Sequence, residues 1–144
     1  MTENPFVPYT IYIDKDANDK IYELLVKRGA DRIEDYPFET KKDLFVLAAC
    51  VGAKLNRYKE LSSERHNAFN GETFNSRIDV PILHTLAYKK EKDVEVLLEP
   101  KRVLEIAQGW ANGGIDEVYN AILIQPGRAL FNYVEWTLEQ VEPK

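Results

Sequence analysis

The sequence predicts a mainly α protein: a single compact domain of about five or six helices, with at most a short N-terminal strand and a small hairpin in the loop 56–79. Three observations support this fold class. The middle of the chain holds a long apolar helix, apolar residues recur at helical spacing on both sides of it, and only one stretch is rich in β-branched and aromatic residues. A length of 144 residues, 44% of them hydrophobic, suits one domain over 1–144.

The stretch Pro37–Leu55 is predicted to hold the central helix, over Thr40–Ala53. Thr40 and Asp43 have the spacing of a capping box, in which the threonine hydroxyl accepts a hydrogen bond from the backbone amide three residues on. From Leu44 to Val51 every residue is apolar, and a helix that is apolar all round is buried all round. This segment is far shorter than the roughly 20 residues of a membrane span, so we expect it in a soluble core.

The N-terminal region is predicted to begin with a flexible leader over residues 1–9, which hold two prolines and few apolar anchors. Tyr9–Ile13 is β-branched and aromatic and predicts a short strand. A helix over Ala17–Arg28 follows, and Gly29 is expected to end it after two basic residues that suit the C-terminal end of the helix dipole. The residues predicted to face inward from this helix are Ala17, Ile21, Leu24 and Leu25.

The segment 56–79 is polar and rich in turn-forming residues, and it predicts a long loop. Asn70-Gly71 favours a type I′ turn inside it. Phe69 and Phe74 flank this turn and are expected to attach the loop to the body of the protein. A connection of this length within a compact domain is uncommon and is often functional, although partial disorder is an equal alternative.

The C-terminal half is predicted to be helical. A helix over Val80–Tyr88 has a proline in its first turn, whereas Val94–Leu98 is compatible with a helix or a strand. A helix that begins at Pro100 is expected to end at Asn112-Gly113-Gly114 and to be followed at once by another helix. The inward residues of the last helix are predicted to be Leu130, Val134, Leu138 and Val141.

The charge distribution and the few reactive side chains argue against most functional classes. The net charge is −5, and residues 91–144 hold 10 acidic against 5 basic residues, which disfavours tight nonspecific binding to duplex DNA. A single cysteine, Cys50, excludes an internal disulfide and a cysteine-based zinc site. His66 and His84 do not have metal-ligand spacing; His84 is expected to pack among apolar neighbours. Without a phosphate-binding glycine loop or a nucleophile motif, we expect no enzyme, no cofactor and no metal.

One basic and aromatic region is a candidate nucleic-acid surface, because Arg and Lys hold phosphates while aromatic rings stack on exposed bases. In addition, two lysines in the first turn of the central helix oppose its dipole, and a phosphate contact would explain that cost. The candidate nucleic-acid-binding residues are Lys41, Lys42, Arg57, Lys59, Arg65, His66 and Arg77. The alternative is a solvated loop, since residues 58–90 hold only one more basic than acidic residue.

The segment Trp110-Ala-Asn-Gly-Gly is a candidate partner-binding surface. An exposed Trp110 beside a glycine turn would suit a protein partner, with Asn112 and Gly113 as its neighbours. The alternative is that Trp110 belongs to the core, because it falls in the periodic apolar register of its helix, and that the glycines permit a tight helix–helix turn.

Two stretches together resemble a known family. Pro37–Ala53 has the sequence PFETKKDLFVLAACVGA, in which Pro-Phe is followed by an apolar helix that ends near a glycine. It resembles a segment with the same features in a small accessory protein of bacterial DNA phosphorothioation (Dnd) systems, the Dnd system-associated protein four. Gly109–Tyr119, GWANGGIDEVY, resembles the Tyr-Ala-Asn-Gly-Gly segment near the C-terminus of that family, with Trp110 at the aromatic position. The resemblance covers the chain from about Ile11 to Leu123, and no catalytic residue accompanies it.

The resemblance implies an antiviral setting linked to DNA modification in bacteria or archaea. It suggests a non-enzymatic accessory subunit that binds larger protein components of a defence complex. The alternative is a small DNA-binding module that uses the loop 57–77. The N-terminus lacks the basic and apolar segments of a signal peptide, so we expect a cytoplasmic location and no membrane partner, while the oligomeric state is left open.

Overall fold

The computed structural model describes residues 3–29 and 31–141. Within them the chain forms five helices and one two-stranded antiparallel sheet, as the sequence predicts for a mainly α fold. The elements in chain order are β1 (Thr10–Asp14), α1 (Lys15–Ala17 and Glu23–Leu25, joined by the π-helical turn Asn18–Tyr22), α2 (Lys41–Lys54), β2 (Arg65–Asn70), α3 (Asp79–Glu91), the 3₁₀ segment Val94–Leu98, α4 (Pro100–Tyr119, extended by the π-helical turn Asn120–Ile124) and α5 (Ala129–Val141).

The centre of the fold is the crossing of α2 and α4. The capping box that begins α2 is confirmed, because the Asp43 amide donates to Thr40 Oγ1 at 3.2 Å. Leu44, Phe45 and Ala48 of this helix are fully buried. The prediction that α2 is buried all round is only partly confirmed, since Cys50 and its apolar neighbours on the other side are half-buried. One side of the helix therefore faces the core, and the other side is partly exposed.

The small sheet joins two distant parts of the chain. β1 and β2 are antiparallel, with Ile13 opposite His66. The type I′ turn predicted at Asn70-Gly71 does not form; Gly71 instead begins a 3₁₀ turn and packs against the backbone of Phe6. The β structure in the segment 56–79 is thus a strand that pairs with β1 and not a local hairpin.

The N-terminal segment predicted as a flexible leader contacts the body of the protein in the part that the structure describes. Phe6 is fully buried and lies edge-on against Phe74, with ring centroids 5.8 Å apart. The Asn4 side chain donates to the carbonyl oxygens of Gly71 and Phe74. Residues 1–2 lie outside the described residues. The buried ring of Phe6 and the hydrogen bonds of Asn4 together attach this segment despite its prolines.

The first helix is shorter than predicted. It ends at Leu25, and Val26 adopts an extended conformation that pairs in parallel with Phe38. Gly29 has a φ of +65° and lies in the turn beyond, so it does not end the helix. Leu24, predicted to face inward, is exposed, because the π-helical turn shifts the register of the residues that follow it.

The predicted break at Asn112-Gly113-Gly114 is wrong, because α4 continues through it. A Cβ on Gly113 would collide with the carbonyl of Arg57, and one on Gly114 would collide with the backbone of α2. The glycines therefore serve close packing of neighbouring backbones and not a turn. Within the described residues, no helix is both long and apolar enough to cross a membrane.

Candidate functional site

The two lysines at the start of α2 are held by internal partners. Lys41 Nζ donates to Asn18 Oδ1 at 2.7 Å and to Glu23 Oε1 at 2.9 Å, and it lies 3.3 Å from His66 Nε2. The hydrogen bond and charge of Lys41 lower the pKa of Glu23. Lys41 and His66 are thus brought together as predicted for a common site, but the contact links α1, α2 and β2 within the protein.

Lys42 forms a largely buried ion pair. Its Nζ lies 2.9 Å from Asp79 Oδ2, and both side chains are mostly covered. Burial alone would lower the pKa of Lys42, but the hydrogen bond and charge of Asp79 raise it overall. The same carboxylate oxygen accepts from the Asn75 amide at the start of α3. The unfavourable position of Lys42 on the α2 dipole is explained by this pair, which joins α2 to α3.

The other predicted basic residues lie on different elements. Arg57 and Lys59 belong to an extended segment that packs on α4: the Lys59 amide donates to the Gly109 carbonyl at 3.1 Å, and the Arg57 guanidinium lies 3.5 Å from Glu117. Arg77 is exposed at the turn before α3. The predicted nucleic-acid residues therefore do not share one contact network.

The predicted partner-binding residues are interior. Trp110 is 2% exposed, and its indole Nε1 donates to the Leu86 carbonyl at 3.0 Å. The Asn112 amide donates to the carbonyls of Lys59 and Glu60, both at 3.2 Å. Trp110 therefore belongs to the core, as the alternative interpretation predicts, and it is not exposed as the hypothesis of a partner surface at Trp110, Asn112 and Gly113 assumes.

The reactive side chains are placed for packing. Cys50 is half-buried on α2, and burial raises the pKa of its thiol. His84 lies edge-on against Phe6, with ring centroids 6.0 Å apart, and burial lowers its pKa. The predicted packing role of His84 is confirmed. Within the described residues, no group of three or more His, Cys, Asp or Glu side chains is placed to hold a metal ion.

A cleft that the sequence did not reveal lies between β1, the segment 58–65 and the first turns of α4. It has a volume of about 670 Å³. We call it the tyrosine cleft, after three tyrosines in its lining. Its polar and aromatic residues are Tyr9, Thr10, Tyr12, Tyr58, Glu60, Arg65, Lys101, Arg102, Glu105 and Gln108. Of the predicted site residues, only Arg65 lines it. The residues that line the cleft come from three segments that are distant in the sequence. The only sequence signal for the cleft was the alternation of Ile11 and Ile13, which predicts that Tyr12 points outward from the strand.

The last helix exposes three of the four residues predicted to face inward, Val134, Leu138 and Val141, together with Phe131, whereas Leu130 is half-buried. Phe131, Val134, Leu138 and Val141 are 56%, 47%, 52% and 71% exposed, and their spacing places them on one stripe. We call this stripe the outer face of α5. The opposite side of the helix packs on the body, where Tyr133 lies 5.0 Å from Phe38 between ring centroids. The inward prediction is wrong for Val134, Leu138 and Val141, because α5 is apolar on two opposite sides.

An acidic groove runs beside the outer face. Glu117, Glu135 and Glu139 line a groove of about 490 Å³ between α5 and the end of α4. The other edge of the outer face carries Leu130 and Thr137. The exposed apolar stripe thus has one negatively charged edge and one uncharged edge.

Comparison with known proteins agrees with the resemblance. A family model described as DNA sulphur modification system-associated protein 4 matches residues 12–130, well over half of the chain. No curated protein and no solved structure matches the chain. The matched region includes the α2–α4 crossing and the part of the tyrosine cleft from Tyr12 onward, but it ends at the beginning of α5. The chain therefore belongs to the family of DNA sulphur modification system-associated protein 4.

Proposed function

We propose that this protein is a non-enzymatic accessory component of a DNA sulphur modification system, linked to antiviral defence, and that it works by binding another protein component of that system. Membership of the family supports the association with such a system. The observation that carries the protein-binding role is the outer face of α5. A contiguous apolar surface on a folded monomer marks an interaction site far more often than single exposed apolar residues do.

The outer face has the geometry of a helix that docks along another helix or into a groove. Its residues follow the 3-4-3 spacing of a coiled-coil seam. About half or more of each of these side chains is exposed to solvent, so burying that exposed part on a partner gains hydrophobic free energy without disturbing the fold. The inner side of α5, anchored at Tyr133 and by the hydrogen bond from Lys54 Nζ to Gln140, holds the helix in place.

The charges beside the outer face specify the chemistry of the partner. Glu135 and Glu139 lie along one edge, so a partner helix with lysine or arginine along the matching edge is favoured. A second copy of this chain is a poorer match. Antiparallel pairing sets the two acidic edges against each other, and parallel pairing sets the acidic edge against the uncharged edge of Leu130 and Thr137. The partner is therefore a different protein with a basic-edged apolar helix.

The non-enzymatic part of the proposal is supported by the roles of the reactive side chains. Cys50 and His84 have pKa values shifted by burial towards their neutral forms, which suits packing. His66 contacts Lys41 within the protein. The alternative function, DNA binding through the loop 57–77, has less support, because the candidate basic residues are divided among separate contacts. Three of them, Lys41, Lys42 and Arg57, form ion pairs with carboxylates of the protein itself.

A tagged pull-down from the host tests the proposal. The bait is the full chain as wild type, as Leu138→Lys on the outer face, and as Leu98→Lys, a control leucine that is exposed on the 3₁₀ segment. We expect wild type and Leu98→Lys to capture the same component of the sulphur modification system and Leu138→Lys to lose it. Circular dichroism of each bait verifies folding. Equal capture by all three baits, or capture of no component of the system, contradicts the proposal.

A further inference from the structure

We propose that the tyrosine cleft is a binding site for an unpaired nucleobase together with one adjacent phosphate. This site is separate from the outer face of α5 and does not depend on it. The volume of about 670 Å³ falls within the range of about 300–1,000 Å³ that is usual for small-molecule sites. The lining combines aromatic walls, one deep amide and a partly basic rim, and each of these parts matches a part of a nucleotide.

The deep amide belongs to Gln108. Its side chain is more than nine-tenths buried, and its Oε1 accepts a hydrogen bond from the Tyr12 backbone amide at 2.8 Å. That bond fixes which end of the amide faces the strand. Among the residues that the structure describes, Gln108 Nε2 has no hydrogen-bond partner. In the same residues, every side-chain nitrogen that is fully buried does have a partner. Nε2 is therefore not fully buried, and since Gln108 lines the cleft, we assign Nε2 as the donor for a base carbonyl or ring nitrogen.

The walls are tyrosine rings that can stack on a base. Tyr12 projects from β1 and is exposed, and Tyr9 precedes the strand. Tyr58 is held edge-on against Trp110, with ring centroids 5.1 Å apart, while Lys90 Nζ lies 4.1 Å from its ring centroid. A ring that is fixed before binding loses little conformational entropy when a base stacks on it.

The rim of the cleft carries both positive and negative side chains. This mixed charge favours a ligand with few phosphate groups. Arg102 is held by Glu91 at 2.6 Å and also reaches Glu105. Lys101 is exposed on the first turn of α4 and has no ion pair among the described residues. With Arg65, the lining has three cations against the carboxylates of Glu60 and Glu105. One phosphate is attracted by this balance, whereas the many phosphates of a duplex gain little; the carboxylates can accept from base amino groups.

Calorimetric titration of the full chain tests the site. The probes are deoxynucleoside monophosphates, a ten-nucleotide single strand and a duplex of the same sequence. The variants are Tyr12→Ala and Lys101→Glu; a glutamate in the first turn of α4 suits the helix dipole, so folding is preserved. The matched controls are Tyr88→Ala, a tyrosine of similar exposure on α3, and Lys20→Glu, an exposed lysine of α1.

We expect binding of the single strand to weaken about 5- to 150-fold in Tyr12→Ala, which corresponds to the loss of one base stack. Lys101→Glu should also weaken binding and reduce its salt dependence, while both controls bind like wild type. Binding of monophosphates with the same Tyr12 dependence identifies a free-nucleotide site; binding of the strand alone identifies an unpaired base in a chain. No binding of either probe, equal binding of the duplex, or binding that Tyr12→Ala does not change overturns the inference.

Discussion

Gly52 of α2 and Gly114 of α4 touch through their backbones. A Cβ added to Gly114 would lie 2.9 Å from the Cα of Gly52 and still closer to the Ala48 carbonyl, while a Cβ added to Gly52 would lie 2.9 Å from the Trp110 carbonyl carbon. Such separations leave no room for a side chain. The crossing fixes the distance between the two longest core helices, and it thereby positions both Trp110 and the segment that carries Tyr58.

The first prediction is that Gly114→Ala destabilises the protein strongly. The methyl group meets backbone atoms of α2, which cannot rotate away, so the helices must separate. We expect a loss of about 3 kcal/mol in the free energy of unfolding, at the upper end of the usual cost of overpacking. Gly29→Ala is the control, since it has open space and carries only a left-handed backbone penalty of about 1–2 kcal/mol. Urea unfolding compares the two. A Gly114→Ala variant no less stable than Gly29→Ala is incompatible with backbone contact at the crossing.

The second prediction concerns the ion pair of Lys42 and Asp79. Lys42→Met leaves the buried Asp79 carboxylate without its counter-charge, and we expect a loss of about 3 kcal/mol in unfolding free energy. Lys15→Met removes the exposed pair with Asp19 and should leave the unfolding midpoint unchanged. Urea unfolding near neutral pH measures both. Similar midpoints for the two variants would show that the pair of Lys42 and Asp79 is not buried in solution.

The third prediction is a pH dependence from His84. Its pKa in the folded protein is lowered by burial, so the unfolded state binds more protons just below the ordinary value of 6.5. The neutral His84 ring therefore contributes fully to the free energy of unfolding above pH 6.5. This contribution is lost as the pH falls through the lowered pKa of His84 in the folded protein. We expect His84→Gln to lose less stability than wild type between pH of about 7.5 and 5.5, a window above the titration of most carboxylates. Parallel pH profiles for the two proteins would refute this assignment.

The fourth prediction concerns the acidic edge of the outer face. Reversing Glu135 and Glu139 to lysine should weaken binding of the partner and invert the salt dependence of the association rate, because opposite charges on the matching edge become like charges. Reversing Glu72 and Glu95, which are exposed elsewhere, changes the net charge equally and should have little effect. Association rates at low and physiological salt give the result. If both double variants behave alike, net charge and not the acidic edge controls binding.

Local signals in the sequence predicted the local structure. The spacing of Thr40 and Asp43 gave the start of α2, and the apolar run after it gave the buried helix, because both depend on residues within a few turns. The glycines after Trp110 were misread as a helix end, since a glycine that permits a turn and a glycine that permits backbone contact have the same sequence signature. Phe6 could not be assigned to the core because its partner Phe74 lies far along the chain.

The candidate sites were less accessible from sequence for a similar reason. Lys42 looked available for a phosphate until Asp79, on another helix, was found beside it. The tyrosine cleft requires β1, the segment 58–65 and α4 to converge, and no periodicity encodes that convergence. Periodicity did identify Val134 and Leu138 as members of one apolar stripe, but it could not determine whether the stripe faces the core or a partner.

The most direct test of the protein-binding role is the affinity between this chain and the purified component of the sulphur modification system that it captures. Calorimetry compares wild type, Leu138→Lys and Leu98→Lys at one salt concentration. We predict that Leu138→Lys weakens binding more than about tenfold, because a charge replaces a buried leucine, while Leu98→Lys binds like wild type. Equal affinity of wild type and Leu138→Lys would contradict the account and place the contact with the partner away from the outer face of α5.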